Sequence, residues 1–105
     1  RGLRSMGVRM EKQFESTLNI CEALYKNTSI ENIHYPPFKY SEGHGLWKKY
    51  FLNGGASLMT IIIKNDCNIK ALDNFIDGLD LFGIGASWGG YESLAMPVFP
   101  IRKKN

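Results

Sequence analysis

Gly85-Ala86-Ser87-Trp88-Gly89-Gly90-Tyr91-Glu92-Ser93-Leu94 is the stretch on which the reading of this chain turns. It sets a hydroxyl and an indole directly before a glycine pair, just after the apolar run Leu79 to Ile84. Adjacent glycines let the backbone turn sharply and let another molecule approach it closely. A serine and a tryptophan on the rim of such a turn can offer a donor and a flat apolar wall to a small polar ligand. The plainer readings stand beside that one. Ser87 can be a turn hydroxyl bonded to its own backbone, and Trp88 a core or interface anchor.

Working outward from the turn, the pattern alternates between helical and extended periods. Leu81 to Ala86 is expected as a short buried strand, and Tyr91 to Leu94 as extended again. Upstream, Ile69, Leu72, Phe75, Ile76 and Leu79 recur at helical spacing, preceded by the cap formers of Asn65 to Asn68. Ala56 to Lys64 is the most β-like run, with Thr60 to Ile63 β-branched throughout, and Gly54-Gly55 breaks the chain before it. Gly45 to Phe51 predicts a short helix carrying Trp47, Lys48 and Lys49. Ile30, Ile33 and Tyr35 predict a strand that stops at Pro36-Pro37, because proline removes ladder donors. Leu3, Gly7, Met10, Phe14, Leu18, Cys21 and Tyr25 lie on one face of a long amphipathic helix, which Asn27, Thr28 and Ser29 end. The expected fold class is α+β: a small antiparallel or mixed sheet with helices packed on one face.

Three segments, in order, carry a more specific likeness: Arg1 to Leu18 (RGLRSMGVRMEKQFESTL), Ile30 to Lys64, and Ser87 to Leu94 (SWGGYESL). Together they resemble the C-terminal domain of the pyridoxal-phosphate (PLP) enzymes of cysteine and methionine metabolism, in the form of bacterial cystathionine β-lyases. The resemblance covers residues 1–95, and the tail 96–105 departs from it. It implies the small C-terminal domain of a fold-type I PLP enzyme without its last strand and helix. The chain therefore reads as a piece of a longer enzyme. Its missing large domain would carry the Schiff-base lysine and assemble into a homotetramer.

That resemblance also implies the chemistry. The parent would use pyridoxal 5'-phosphate to eliminate a thiol from an amino-acid thioether, cystathionine giving homocysteine, pyruvate and ammonia. Ser87 would help to hold the substrate's α-carboxylate and Trp88 would line the pocket. A tryptophan after the serine favours β-lyases over γ-acting relatives. No position matches the family's carboxylate-clamping arginine, since Arg102 sits in the unmatched tail. No lysine follows a Ser-x-Thr, so the chain alone is expected to bind no PLP and to be inactive. The first two turns of the long helix are expected to be bare without the large domain. The alternatives are a fragment of a γ-acting relative (cystathionine γ-synthase, cystathionine γ-lyase or methionine γ-lyase), a non-catalytic interaction module and a decayed gene remnant, and the neighbouring reading frames would separate the last two from a split enzyme.

Composition excludes other classes. Hydrophobic residues make up 44% and charged residues 22%, as in ordinary globular domains. The net charge of +3 comes from Arg102, Lys103 and Lys104, leaving residues 1–101 balanced. Such a distribution gives no nucleic-acid footprint. The longest apolar run is too short to cross a membrane, and the lack of a leader pattern predicts a cytoplasmic protein. Cys21 and Cys67 form no disulfide framework, and Cys21 falls on the helix's apolar stripe. His34 and His44 have no carboxylate or thiol at ligand spacing, so neither a metal nor a catalytic role is assigned to them.

Overall fold

The computed structural model describes residues 2–64 and 68–99. They form two compact units, divided between Asn65 and Asp66. The first holds a 3-10 turn (Gly2–Ser5), α1 (Met6–Tyr25), β1 (Ile30–His34), α2 (His44–Tyr50) and β2 (Thr60–Ile63). The second holds α3 (Ile69–Asp77), β3 (Gly83–Ile84) and β4 (Leu94–Ala95).

The long helix follows its apolar stripe only in part. Its C-terminal half buries Thr17 and Cys21, with Phe14, Leu18 and Leu24 packed around them. Leu3, Met6 and Met10 at the other end are exposed, as expected. Thr17 is tolerated inside because its Oγ1 donates to the Gln13 carbonyl at 2.8 Å. Tyr25, the last residue of the stripe, leaves the core and stacks its ring on Tyr40 at 4.4 Å. Asn27 closes the helix: its amide donates to Leu24 O, and its Oδ1 accepts from Ser29 N.

β1 and β2 pair antiparallel with Ile33 opposite Ile61 and His34 opposite Thr60, and a bulge lies between Ile30 and Asn32. Cys21, Ile33, Tyr35 and Phe38 form the buried centre, against which Ile30 and Met59 also pack. The Cys21 thiol donates to Met59 Sδ at 3.4 Å, and burial pushes its pKa up. After the strand, Phe38 N donates to Tyr35 O and Ser41 N to Phe38 O, so the prolines sit in turns that need no ladder. The expected strand from Ala56 to Lys64 shrinks to Thr60–Ile63, because its early residues serve a different purpose. Trp47 Nε1 donates to Gly54 O at 3.2 Å and Tyr35 Oη to Ala56 O at 2.6 Å, so side chains rather than a strand hold this segment.

Gly55 lies between those two anchors. A Cβ there would sit 2.9 Å from Pro37 Cγ, 3.0 Å from Tyr35 Oη and 3.3 Å from Phe14 Cδ2. Gly55→Ala should therefore destabilise the first unit by about 1–3 kcal/mol, as overpacking does, in a urea titration.

Tyr35 also predicts a pH response. Desolvation by burial, aided by Cys21, pushes its phenol up to about 12 from an ordinary value of 10.0. The fold thus favours the neutral phenol. The stability it contributes is complete below pH 10.0 and is lost as pH rises through about 12. Urea unfolding should show stability falling across that alkaline range. Tyr35→Phe should blunt the fall and cost about 1 kcal/mol at neutral pH through the lost hydrogen bond.

In the second unit, Asn68 caps α3, its side chain accepting from Ala71 N at 2.8 Å. Ile76 is the buried residue of the predicted stripe, whereas Ile69 and Phe75 are exposed. β3 and β4 pair in parallel, Gly83 opposite Leu94 and Ile84 opposite Ala95.

These strands correct two expectations. The α+β class holds, but the single sheet does not: among the described residues the strands form two separate two-stranded ladders, one antiparallel and one parallel. The strand expected to be buried from Leu81 to Ala86 is only Gly83–Ile84, and both residues are exposed. An apolar run says that a segment is suited to burial, and a ladder of two residues leaves it open on both faces. Residues 96–99 continue without regular structure, and the rest of the tail, like Cys67, lies outside the described residues.

Candidate functional site

The decisive stretch becomes a surface loop, residues 85–93, whose ends are tied together. β3 leads into it and β4 leads out, and Gly83 N donates to Ser93 O at 2.9 Å across the neck. Loops with pinned ends hold their side chains in place without a strand or helix of their own. Gly85 keeps the neck narrow, since a Cβ there would lie 3.4 Å from Leu94 Cδ2.

At the turn itself Gly89 has φ +73, the left-handed region that favours glycine. The Glu92 carboxylate folds back over the neighbouring glycine, so that a Cβ on Gly90 would come within 2.7 Å of its Oε2. Reading the sequence gave Glu92 no role.

Ser87 and Trp88 are neighbours on this loop. Ser87 is exposed and Trp88 is 80% exposed, with Tyr91 at 94%. The plain reading of Trp88 as a core anchor does not hold for the described residues. An indole and a phenol left this bare are surfaces suited to meeting another molecule. Beside them, the serine hydroxyl and the amides of a glycine turn are suitable donors for a carboxylate. Arg102 lies outside the described residues.

The sequence-level candidates elsewhere take structural positions. His44 opens α2 with its Nδ1 2.9 Å from Pro36 O and its ring against Trp47. Among the described residues no three His, Cys, Asp or Glu side chains gather to hold a metal ion. No described helix is long and apolar enough to cross a membrane.

A lysine that holds PLP as an imine must be able to lose its proton, which burial or a neighbouring cation achieves. The described lysines do not fit that task. Lys12, Lys26, Lys39, Lys48, Lys49, Lys64 and Lys70 are all exposed. Lys12 is paired with Glu15 at 2.9 Å, and Lys39 and Lys49 lie over the rings of Tyr40 and Tyr50. The described residues offer no buried lysine to anchor the cofactor.

The family model for Cys/Met metabolism PLP-dependent enzymes matches residues 1–102. The chain belongs to this family. Among its relatives, cystathionine beta-lyase MetC of Escherichia coli K12 is 38% identical over 96 residues, covering 91% of this chain and 24% of that protein. The L-alanine/L-glutamate racemase of Wolbachia pipientis is 34% identical over 98 residues, 93% of this chain and 24% of the racemase. Cystathionine gamma synthase from Xanthomonas oryzae pv. oryzae, solved with aminoacrylate and cysteine, superimposes with a TM-score of 0.80 at 29% identity. That match covers 90% of this chain and 24% of the synthase. Hence this member of the Cys/Met PLP family spans about a quarter of the length of the relatives it matches.

Proposed function

We propose that these residues are the substrate-facing part of a PLP-dependent carbon–sulfur β-lyase that cleaves cystathionine to homocysteine, pyruvate and ammonia. The observation that carries this reading is the exposed Ser87-Trp88 pair on a loop pinned at its neck by β3 and β4. Ser87 donates to the substrate's α-carboxylate, and Trp88 forms an apolar wall beside the thioether chain. The cofactor, its lysine and the carboxylate-clamping arginine come from other parts of the enzyme, in keeping with the exposed lysines here. When bound, PLP supplies the electron sink for loss of the α-proton.

Relatives in this family carry different reactions on similar sequences, so the test must read the products. A chimera in which residues 1–102 replace the matching quarter of E. coli MetC would be given cystathionine. The β-lyase reading expects pyruvate and homocysteine in equal amounts. Cysteine and 2-oxobutyrate would instead identify a γ-lyase.

A further inference from the structure

Neither Ser87 nor Trp88 belongs to a helix or strand, so their placement depends on what fixes the loop around them. The neck is one fixed point: Gly83 N donates to Ser93 O, and Leu94 stands opposite Gly83 in the ladder. The turn at Gly89-Gly90 is the weak point. Glycine gives up more conformational freedom on folding than any other residue, and two in a row leave a turn many ways to swing. A binding group must nevertheless be held to about 0.5 Å to be useful.

Glu92 links the neck to the turn. It directly precedes Ser93, so its backbone is rooted at the neck, and its carboxylate reaches back past Tyr91 to Gly90. A Cβ built on Gly90 would lie 2.7 Å from Glu92 Oε2 and 3.9 Å from its carboxyl carbon. The carboxylate thus fills the volume that a side chain at position 90 would take. Gly90 lies outside the left-handed region that Gly89 occupies, so it is this close approach, rather than backbone strain, that calls for a glycine there. A swing of the turn about Gly90 has to displace the carboxylate.

We propose that Glu92 is a positioning residue of the site: its carboxylate, packed on Gly90, holds the glycine turn in the conformation that presents Ser87 and Trp88 to the substrate. The proposal rests on the reading of this loop as substrate-facing. It assigns Glu92 no contact with the substrate carboxylate, which a second negative charge would repel.

The first arm of the test uses the intact 105-residue chain without cofactor or substrate, so its failure is distinct from failure of the lyase reading. Backbone 15N order parameters for residues 86–91 should stand at about 0.85 in the parent and fall below about 0.6 in Glu92→Ala. Glu92→Gln, which fills the same volume, should stay with the parent. Gly90→Ala expels the carboxylate and should loosen the loop equally. The double variant should be no looser than either single one, because both break the same contact. The second arm reads the MetC chimera on cystathionine. Glu92→Ala should raise KM about tenfold or more and leave kcat within about twofold, since a grip on the substrate carboxylate serves ground and transition states alike. Glu92→Gln should restore KM. Glu92 is exposed, so the variants at this position should melt with the parent.

A loop as rigid in Glu92→Ala as in the parent would overturn the proposal. So would an unchanged KM in a chimera carrying Glu92→Ala. Glu92→Gln as damaging as Glu92→Ala would also overturn it, because the charge and not the filled volume would then be at work. A chimera that makes no product from cystathionine refutes the lyase reading, and the order parameters still decide whether Glu92 holds the loop.

Discussion

Phe38→Ala should unfold the first unit at room temperature or leave it barely folded. Phe38 is 2% exposed and meets Cys21, Ile33 and Tyr35 at the buried centre. Its ring also packs edge-on against Tyr25 and Tyr40, at 5.7 and 5.5 Å. Truncating a buried phenylalanine costs about 3–5 kcal/mol through lost burial and the cavity left behind. Whole domains are stable by only about 5–15 kcal/mol, and small ones sit at the lower end. The loss of Phe38 thus takes most of what holds the unit together. Chemical denaturation followed by circular dichroism should show the midpoint moving close to zero denaturant. Phe38→Leu, which keeps most of the volume, should lose far less.

Trp88→Ala should have a large effect on catalysis with almost none on folding. At 80% exposure the indole contributes little to the second unit's stability. As a pocket wall it would contribute on the order of 1–3 kcal/mol to holding substrate, hence about ten- to a hundredfold in kcat/KM. In the MetC chimera, Ser87→Ala should produce a loss of similar order, since a hydrogen bond to a charged group is worth about 1.5–3 kcal/mol. Both variants should melt with the parent chimera. Equal losses of activity and stability would mean that the loop is structural.

Local signals in the sequence located most elements. Asn68 stands where α3 begins because its side chain accepts from an amide that the helix leaves open, and Asn27 stands past the end of α1, where its backbone amide donates to the Leu24 carbonyl and its side chain closes the turn onto Ser29 N. Pro36-Pro37 ended β1, and the β-branched run Thr60–Ile63 became its partner. What the sequence hid was long-range. Ala56 looks like a strand residue, but the hydroxyl of Tyr35, distant in sequence, donates to its carbonyl and holds it outside the ladder. Leu81 to Ile84 look like a buried strand because hydrophobicity records suitability for burial and not the presence of a cover. Leu81 and Ile84 in fact remain exposed.

The candidate site divides in the same way. The glycine turn beside Ser87 and Trp88 was legible because adjacent glycines mark a turn locally, whereas the exposure of Trp88 was not. Glu92 was not, since its approach to Gly90 depends on how the turn closes.

The central claim is that this chain supplies the substrate side of the site while the cofactor's lysine lies outside it. It is tested most directly by incubating the 105-residue chain with PLP, reducing with borohydride, dialysing, and mapping any label by mass spectrometry. The account predicts only scattered, substoichiometric labelling of exposed lysines, with no absorption band surviving dialysis in an unreduced control. A stoichiometric band retained through dialysis and mapped to a single lysine of this chain would contradict it.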